Sequence, residues 1–183
     1  NLELMRLLSL EAPVSEEDFK DLKADEISQR IYDKMIDAYK RKVETISKQA
    51  FPVIKNVYET KKEVYKNIVV PITDGKKVFQ IVCNLEKAYE NNGKELVKSY
   101  QKQIVLNTID ESWKEQLREM DDLKQSVQNA TYEQKDPLLI YKFESFNLFK
   151  IMVAKVNKDV VSTLMKGQIP IQKPDQVKEA QTR

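Results

Sequence analysis

The chain has 183 residues, of which 33% are charged and only three are glycine, and its formal net charge at pH 7 is +2. This composition suits long solvated helices and disfavours a β-sandwich or a β-barrel. Because the net charge is small and both signs are interspersed, the sequence gives no strong footprint of nucleic-acid binding.

Several residue types that carry chemistry are missing or isolated. Histidine, the commonest general base and metal ligand, is absent. The single cysteine, Cys83, cannot form an internal disulfide or a thiolate cluster. Gly75, Gly93 and Gly167 lie too far apart for a P-loop or a dinucleotide-binding turn. We therefore predict that the chain by itself is not an enzyme and has no catalytic, metal or cofactor-binding residues.

The start of the chain and its hydropathy bear on its context. No apolar run reaches the roughly eighteen residues of a membrane-spanning helix. The chain begins at Asn1, within a segment that already has a helical pattern. We expect an excised piece of a larger cytoplasmic protein.

The first sixty residues predict helices. A leucine-rich segment ends at Ala12-Pro13, and Ser15, followed by three acidic residues, is a predicted N-cap. From Asp25 apolar residues recur at helical spacing, which predicts a longer helix packed on a core. Pro52 is expected to kink or restart this helix.

The next segment predicts a β-hairpin. Residues 67–72 and 77–82 are rich in β-branched side chains, and Asp74-Gly75 between them is a strong hairpin signal. Pro71 restricts its strand to an edge. A two-stranded ribbon is marginal in water, so we expect it to lie against the helices or a partner. Cys83 is interpreted as a small buried hydrophobe, and residues 91–93 as a turn.

Two long helices follow, separated by a polar segment at 128–136. Apolar stripes run along both helices, and we expect the stripes to face each other in an antiparallel hairpin about 40–45 Å long, with Trp113 in its core. Asp136 is predicted to cap the second helix, with Pro137 in its first turn. Gly167 is a predicted C-cap, and Tyr132 lies at the tip of the hairpin.

Four motifs in this region occur in a characteristic order and spacing. They are TIDESWKEQL at 108–117, MDDLKQ at 120–125, YEQKDP at 132–137 and YKFESF at 141–146. Together they closely resemble the helical scaffold of the preprotein translocase ATPase family SecA. AYKRK at 38–42 resembles the helical wing domain of the same family, so the resemblance extends over about residues 25–166.

The resemblance implies a fold and a division into domains. The fold class is mostly α, with a long antiparallel helical hairpin and a helical wing that carries a small inserted β-hairpin. Residues 1–98 would form the wing, with the insertion at about 67–82. Residues 99–168 would form the two-helix finger of the helical scaffold, and 169–183 a C-terminal linker. The segment 52–96 is longer than the wing segment expected of the family, and we interpret it as a lineage-specific insertion.

The resemblance also implies a function. In the family the finger regulates ATP hydrolysis, and its tip tyrosine contacts the translocating polypeptide at the mouth of the SecY channel. Tyr132 stands at that position, and we expect Thr131, Glu133 and Gln134 to share the contact with substrate and channel. Many relatives have an arginine and a glycine or alanine before the tyrosine, whereas this chain has Ala130 and Thr131, which weakens the case for a basic tip contact.

Partners and location follow from the same resemblance. The expected partners are the SecYEG channel, unfolded preproteins and the SecA motor domains, which bind ATP and Mg²⁺ and are absent from this segment. We expect a cytoplasmic protein that lies peripherally on the inner face of the bacterial plasma membrane, and bare faces that allow a homodimer. Nucleic acid is not an expected partner.

Two alternatives compete with the finger hypothesis. The first is a purely structural scaffold whose exposed faces hold neighbouring domains. The second is a basic amphipathic module that binds RNA or an anionic membrane. The second is disfavoured because lysine and arginine are scattered among acidic residues and form no single stripe.

Overall fold

The computed structural model describes residues 2–127 and 136–170. The described elements, in chain order, are α1 (Leu2–Leu8), α2 (Glu16–Asp21), α3 (Ala24–Lys61), β1 (Asn67–Thr73), β2 (Val78–Asn84), α4 (Leu85–Glu90), α5 (Lys94–Val127) and α6 (Pro137–Lys166). β1 and β2 form a two-stranded antiparallel sheet. The predicted fold class, mostly α with a small β-hairpin, is confirmed.

Side-chain caps set the start of three helices. Ser15 Oγ accepts a hydrogen bond from the backbone N–H of Asp18 at 3.1 Å, and this begins α2. Asp136 Oδ1 accepts from the N–H of Leu138 at 2.9 Å, with Pro137 as the first residue of α6. Both predicted caps are confirmed. Asn84 Oδ1 caps α4 in the same way, at 3.0 Å from the N–H of Lys87.

Helix α3 continues through Pro52, so of the predicted kink or restart, the restart is wrong. A proline within a helix removes one hydrogen bond and leaves the carbonyl four residues earlier without its donor. Pro52 and Lys48, which carries that carbonyl, are both exposed, so water can take the place of the lost donor. The helix continues because Ile54 and Val57, beyond the proline, are buried in the core.

The ribbon formed by β1 and β2 is confirmed at the place the sequence indicates. Thr73 pairs with Val78, and the register runs from there to Asn67 opposite Asn84. Asp74 Oδ1 accepts from the backbone N–H groups of Lys76 and Lys77 at 2.8 and 2.7 Å, and this fixes the turn. The ribbon therefore has a locally determined tip.

The described residues group into two compact units, one formed by 2–103 with 162–170 and the other by 104–161. The core of the first unit is built around the inner face of the ribbon. Its least exposed apolar side chains come from both strands and from four helices: Ile46, Ala50, Ile54, Val57, Ile68, Ile72, Ile81, Cys83, Leu85, Ala88, Leu96, Val97, Tyr100 and Met165. Cys83 is therefore a buried hydrophobe, as predicted, and burial raises the pKa of its thiol to about 12.

Aromatic rings extend this core between α3 and α4. The rings of Tyr58 and Tyr89 stack with centroids 4.1 Å apart and planes 8° from parallel, and the ring centroid of Phe51 lies 6.2 Å from that of Tyr89. Aromatic stacking adds to the effect of area burial. It fixes α4 against the second half of α3.

Two glycines have left-handed backbone conformations but differ in their surroundings. Gly75, in the ribbon turn, has φ +88° and open space where a Cβ would lie. Gly93, in the turn before α5, has φ +85°, and a Cβ there would lie 2.9 Å from the backbone oxygen of Ser47 in α3. The turn at 91–93 therefore packs directly on α3.

We expect Gly93→Ala to destabilise the chain by about 1–3 kcal/mol more than Gly75→Ala, because both substitutions strain the backbone but only the first also forces α3 and the turn apart. Urea denaturation of the two variants measures the difference. Equal losses of unfolding free energy would show that the close approach at Ser47 does not matter.

Candidate functional site

The four residues predicted to contact substrate and channel lie outside the described residues. They are Thr131, Tyr132, Glu133 and Gln134. Their role therefore stays a prediction, as do the domain boundaries proposed from the sequence. The structure does describe the two helices that lead to and from this segment, α5 up to Val127 and α6 from Pro137.

The part of α5 in the second unit buries the polar Ser112 and Gln116 together with the apolar Ile104, and it exposes an apolar line. Ser112 and Gln116 are 7% and 5% exposed, and no described residue provides a hydrogen-bond partner for the buried Gln116 Oε1. Trp113 and Leu117, one residue further along, are 47% and 53% exposed. The prediction that Trp113 lies in the hairpin core is wrong.

Helix α6 has the same arrangement in the second unit. Phe143 and Phe146 are 63% and 60% exposed, whereas Leu148, Met152 and Val156 on another face are half-buried. The expectation that the two apolar stripes face each other is therefore wrong for the middle of the stripes, where Trp113, Phe143 and Phe146 are exposed, whereas outer positions such as Ile104 and Val156 are buried or half-buried. α6 carries apolar side chains on more than one face, so burial of one apolar face leaves another open to solvent.

We call these exposed residues the apolar faces of α5 and α6. They comprise Leu106, Ile109, Trp113 and Leu117 on α5, and Leu138, Leu139, Phe143, Phe146, Phe149, Ile151 and Val153 on α6. Charge covers them only locally, as where Lys150 Nζ lies 4.9 Å from the centroid of the Phe146 ring. Single exposed apolar residues are ordinary, but repeated ones along a helix mark a surface for binding another polypeptide.

The last turn of α6 belongs to the first unit and is held there by side chains that the sequence did not single out for this role. The Tyr100 hydroxyl donates to Thr163 O at 2.9 Å, and Lys42 Nζ donates to Gly167 O at 3.1 Å. Burial raises the pKa of Tyr100, and the charges of Tyr39 and Asp74 act in the same direction. The phenol therefore stays protonated and remains a donor at physiological pH.

Gly167 follows the last residue of α6, as predicted for a helix end, but its backbone is not left-handed. A Cβ at this position would lie 2.8 Å from Cε1 and Cζ of the Tyr100 ring. Glycine is therefore required by the approach of the ring and not by a left-handed cap. No sequence signal links these residues, which lie more than sixty positions apart.

In the described part of the chain, no three cysteine, aspartate or glutamate residues are grouped so that they could hold a metal ion. Among the described helices, none has the length and apolarity needed to cross a membrane.

Comparison with known proteins identifies the class of protein. A family model described as the SecA Wing and Scaffold domain matches residues 3–168. The chain therefore belongs to the SecA protein translocase family, within its wing and scaffold region. No solved structure matches the chain.

Curated relatives agree with this assignment. The protein translocase subunit SecA of Phocaeicola vulgatus is 50% identical over 179 residues, which cover 98% of this chain and 16% of the relative. The SecA subunits of Bacteroides fragilis and Christiangramia forsetii are each 52% identical, over 182 and 168 residues. The chain thus spans about a sixth of the length of these relatives.

Trp113 is the only tryptophan in the chain, so its fluorescence reports directly on the apolar face of α5. We expect acrylamide to quench Trp113 in the folded chain about half as efficiently as in the urea-unfolded chain, in line with its exposed fraction. Stern–Volmer titrations of the two states measure this. A Trp113 shielded from acrylamide in the folded monomer would contradict the exposure of this face.

Proposed function

We propose that this chain supplies the wing and two-helix finger of a SecA translocation motor, and that the segment between α5 and α6 contacts the translocating preprotein at the mouth of the SecY channel. The observation that carries the proposal is the pair of long helices on either side of that segment, 34 residues in α5 and 30 in α6. At a rise of 1.5 Å per residue, each helix is about 45–50 Å long. Helices of this length can carry a contact far from their base.

Tyr132 is the proposed contact residue. A tyrosine ring packs against apolar side chains of many shapes, while its hydroxyl bonds to backbone groups that every polypeptide presents. Both properties suit a contact with chains of unrelated sequence. Thr131, Glu133 and Gln134 are proposed to provide polar contacts beside it.

The finger is proposed to act with parts of SecA outside this chain. ATP and Mg²⁺ would bind in motor domains within the remaining five-sixths of the relatives' length. This chain would regulate the hydrolysis of ATP by those domains without contributing a catalytic residue. The proposed partners are the SecYEG channel and unfolded preproteins. The proposed location is the cytoplasmic face of the bacterial plasma membrane, peripheral and reached through the channel.

We expect Tyr132→Ala in full-length SecA to slow preprotein transport about tenfold, because it removes an aromatic contact of about 1.4 kcal/mol. Tyr132→Phe is the matched control, since it keeps the ring and should lose less. Transport into SecYEG vesicles measures both variants. Unchanged transport by a folded Tyr132→Ala protein would overturn the proposed role of the tip.

Cross-linking tests the contact itself. Cys83→Ser combined with Tyr132→Cys leaves one thiol in this segment, and a preprotein with single cysteines can be arrested in the channel. A disulfide between the tip and the substrate supports the finger mechanism. Failure of an active protein to form it would leave the hairpin as a scaffold or regulator.

The apolar faces of α5 and α6 favour a second candidate function, a structural scaffold that holds other domains. Phe143, Phe146 and Phe149 are 45–63% exposed in this chain, although phenylalanine is among the residues most often buried. A face of this kind is suited to bind another part of the same protein. If the chain is a scaffold, substitutions on these faces impair the function of the protein and substitutions at the tip do not.

Phe146→Ser tests whether the apolar face of α6, which is exposed in the isolated chain, is covered in full-length SecA. In the isolated chain we expect the unfolding free energy to change by less than about 1 kcal/mol, because the side chain is 60% exposed. In full-length SecA, where the face would be covered, we expect a loss of about 3 kcal/mol or more. Urea denaturation of both proteins measures this, with the exposed Lys142→Ala as control. Equal small effects in both proteins would contradict the scaffold function.

A further inference from the structure

The outer edge of β1 is joined to Gln168, the second residue beyond the end of α6. The backbone N–H of Thr73 donates to Gln168 O at 2.8 Å, and the N–H of Gln168 donates to Thr73 O at 2.8 Å. Together they form one antiparallel bridge on the side of β1 that faces away from β2. The ribbon is thus bonded by its backbone to the segment that follows the carboxyl end of α6.

Two further side chains hold the same end of the helix. The Tyr100 hydroxyl of α5 donates to Thr163 O, and Lys42 Nζ of α3 donates to Gly167 O. Thr163 O also accepts from the backbone N–H of Gly167 at 3.0 Å, and the lysine cation near the last carbonyls of α6 is favoured by the helix dipole. These contacts come from three different elements and converge on residues 163–168.

The bridge cannot extend into a longer third strand. Continuing the antiparallel register from Thr73 opposite Gln168 would place Pro71 opposite Pro170, two positions further along. In an antiparallel ladder, hydrogen-bonded pairs recur at every second residue, so Pro71 and Pro170 would have to donate N–H groups to each other's carbonyls as Thr73 and Gln168 do. Neither proline has an N–H, so the ribbon is hydrogen-bonded to the segment after α6 at a single residue pair.

We propose that the ribbon of β1 and β2, through Thr73, acts with Lys42 and Tyr100 as a clasp that fixes the carboxyl end of α6. The clasp gives the ribbon a role that the wing and finger functions do not assign to it. It sets where α6 ends relative to α3 and the ribbon, and the fit of Gly167 against the Tyr100 ring leaves little freedom for the helix to slide.

Hydrogen exchange in full-length SecA tests the clasp, with peptides that cover 70–76 and 160–169. Gln168→Pro removes the N–H that donates to Thr73, whereas Gln168→Ala keeps it. We expect exchange in both peptides to rise about tenfold in Gln168→Pro and to stay unchanged in Gln168→Ala, since one or two hydrogen bonds are lost only in the proline variant.

A second pair of variants acts from α3 and does not alter the backbone. Lys42→Met removes the donor to Gly167 O but keeps the side-chain stem, and the exposed Lys40→Met is its control. Faster exchange at 70–76 as well as 160–169 in Lys42→Met alone supports a coupled clasp. If Lys42→Met leaves both peptides at the wild-type rate, or changes only 160–169, the ribbon does not act with Lys42 and the proposal is overturned.

Discussion

The packing of much of the first unit depends on the hydrogen bond made by the Tyr100 hydroxyl. Tyr100 is 1% exposed, and a buried hydroxyl without a partner would cost several kcal/mol in an apolar surrounding, so its bond to Thr163 O is required. The ring also lies 6.4 Å from Phe79 of β2 and against the backbone of Gly167. One side chain of α5 thereby fixes a strand of the ribbon and the end of α6 together.

The ribbon is part of the core and not an appendage to it. Two strands alone would be marginal in water, but Ile68, Ile72 and Ile81 on the inner face are 0–2% exposed within the first unit. Its edges are also occupied, by Gln168 on β1 and by the Gln103 side chain, which donates to Gln80 O at 3.0 Å on β2. A ribbon held on its face and at both edges stabilises the elements around it.

Local signals in the sequence predicted the elements well. Ser15 and Asp136 cap their helices because the capping bond spans only two or three residues, and Asp74-Gly75 forms its turn for the same reason. The Tyr100 contact could not be predicted, because it joins residues 63 positions apart and neither has an unusual side chain for its place. The candidate tip rests on resemblance alone.

The burial of Trp113 was predicted wrongly for a different physical reason. Helical periodicity identifies which face of a helix is apolar, but it does not say which polypeptide covers that face. The line that α5 buries runs through Ser112 and Gln116, whose polarity gave no signal of burial. A chain that spans about a sixth of its relatives' length can carry faces whose partner lies in the rest.

The apolar faces also limit how the proposed finger and scaffold functions combine. A hairpin that moved freely in water would be expected to carry charged residues along its sides, as the outer faces of solvated helices do. Phe143, Phe146 and Trp113 are instead 47–63% exposed in this chain. The sides of α5 and α6 are thus suited to docking, whereas the segment between them, at 128–136, has almost nothing to bury. Docked sides and a polar tip fit a lever whose helices are held along their length and whose contact with a substrate is confined to its end.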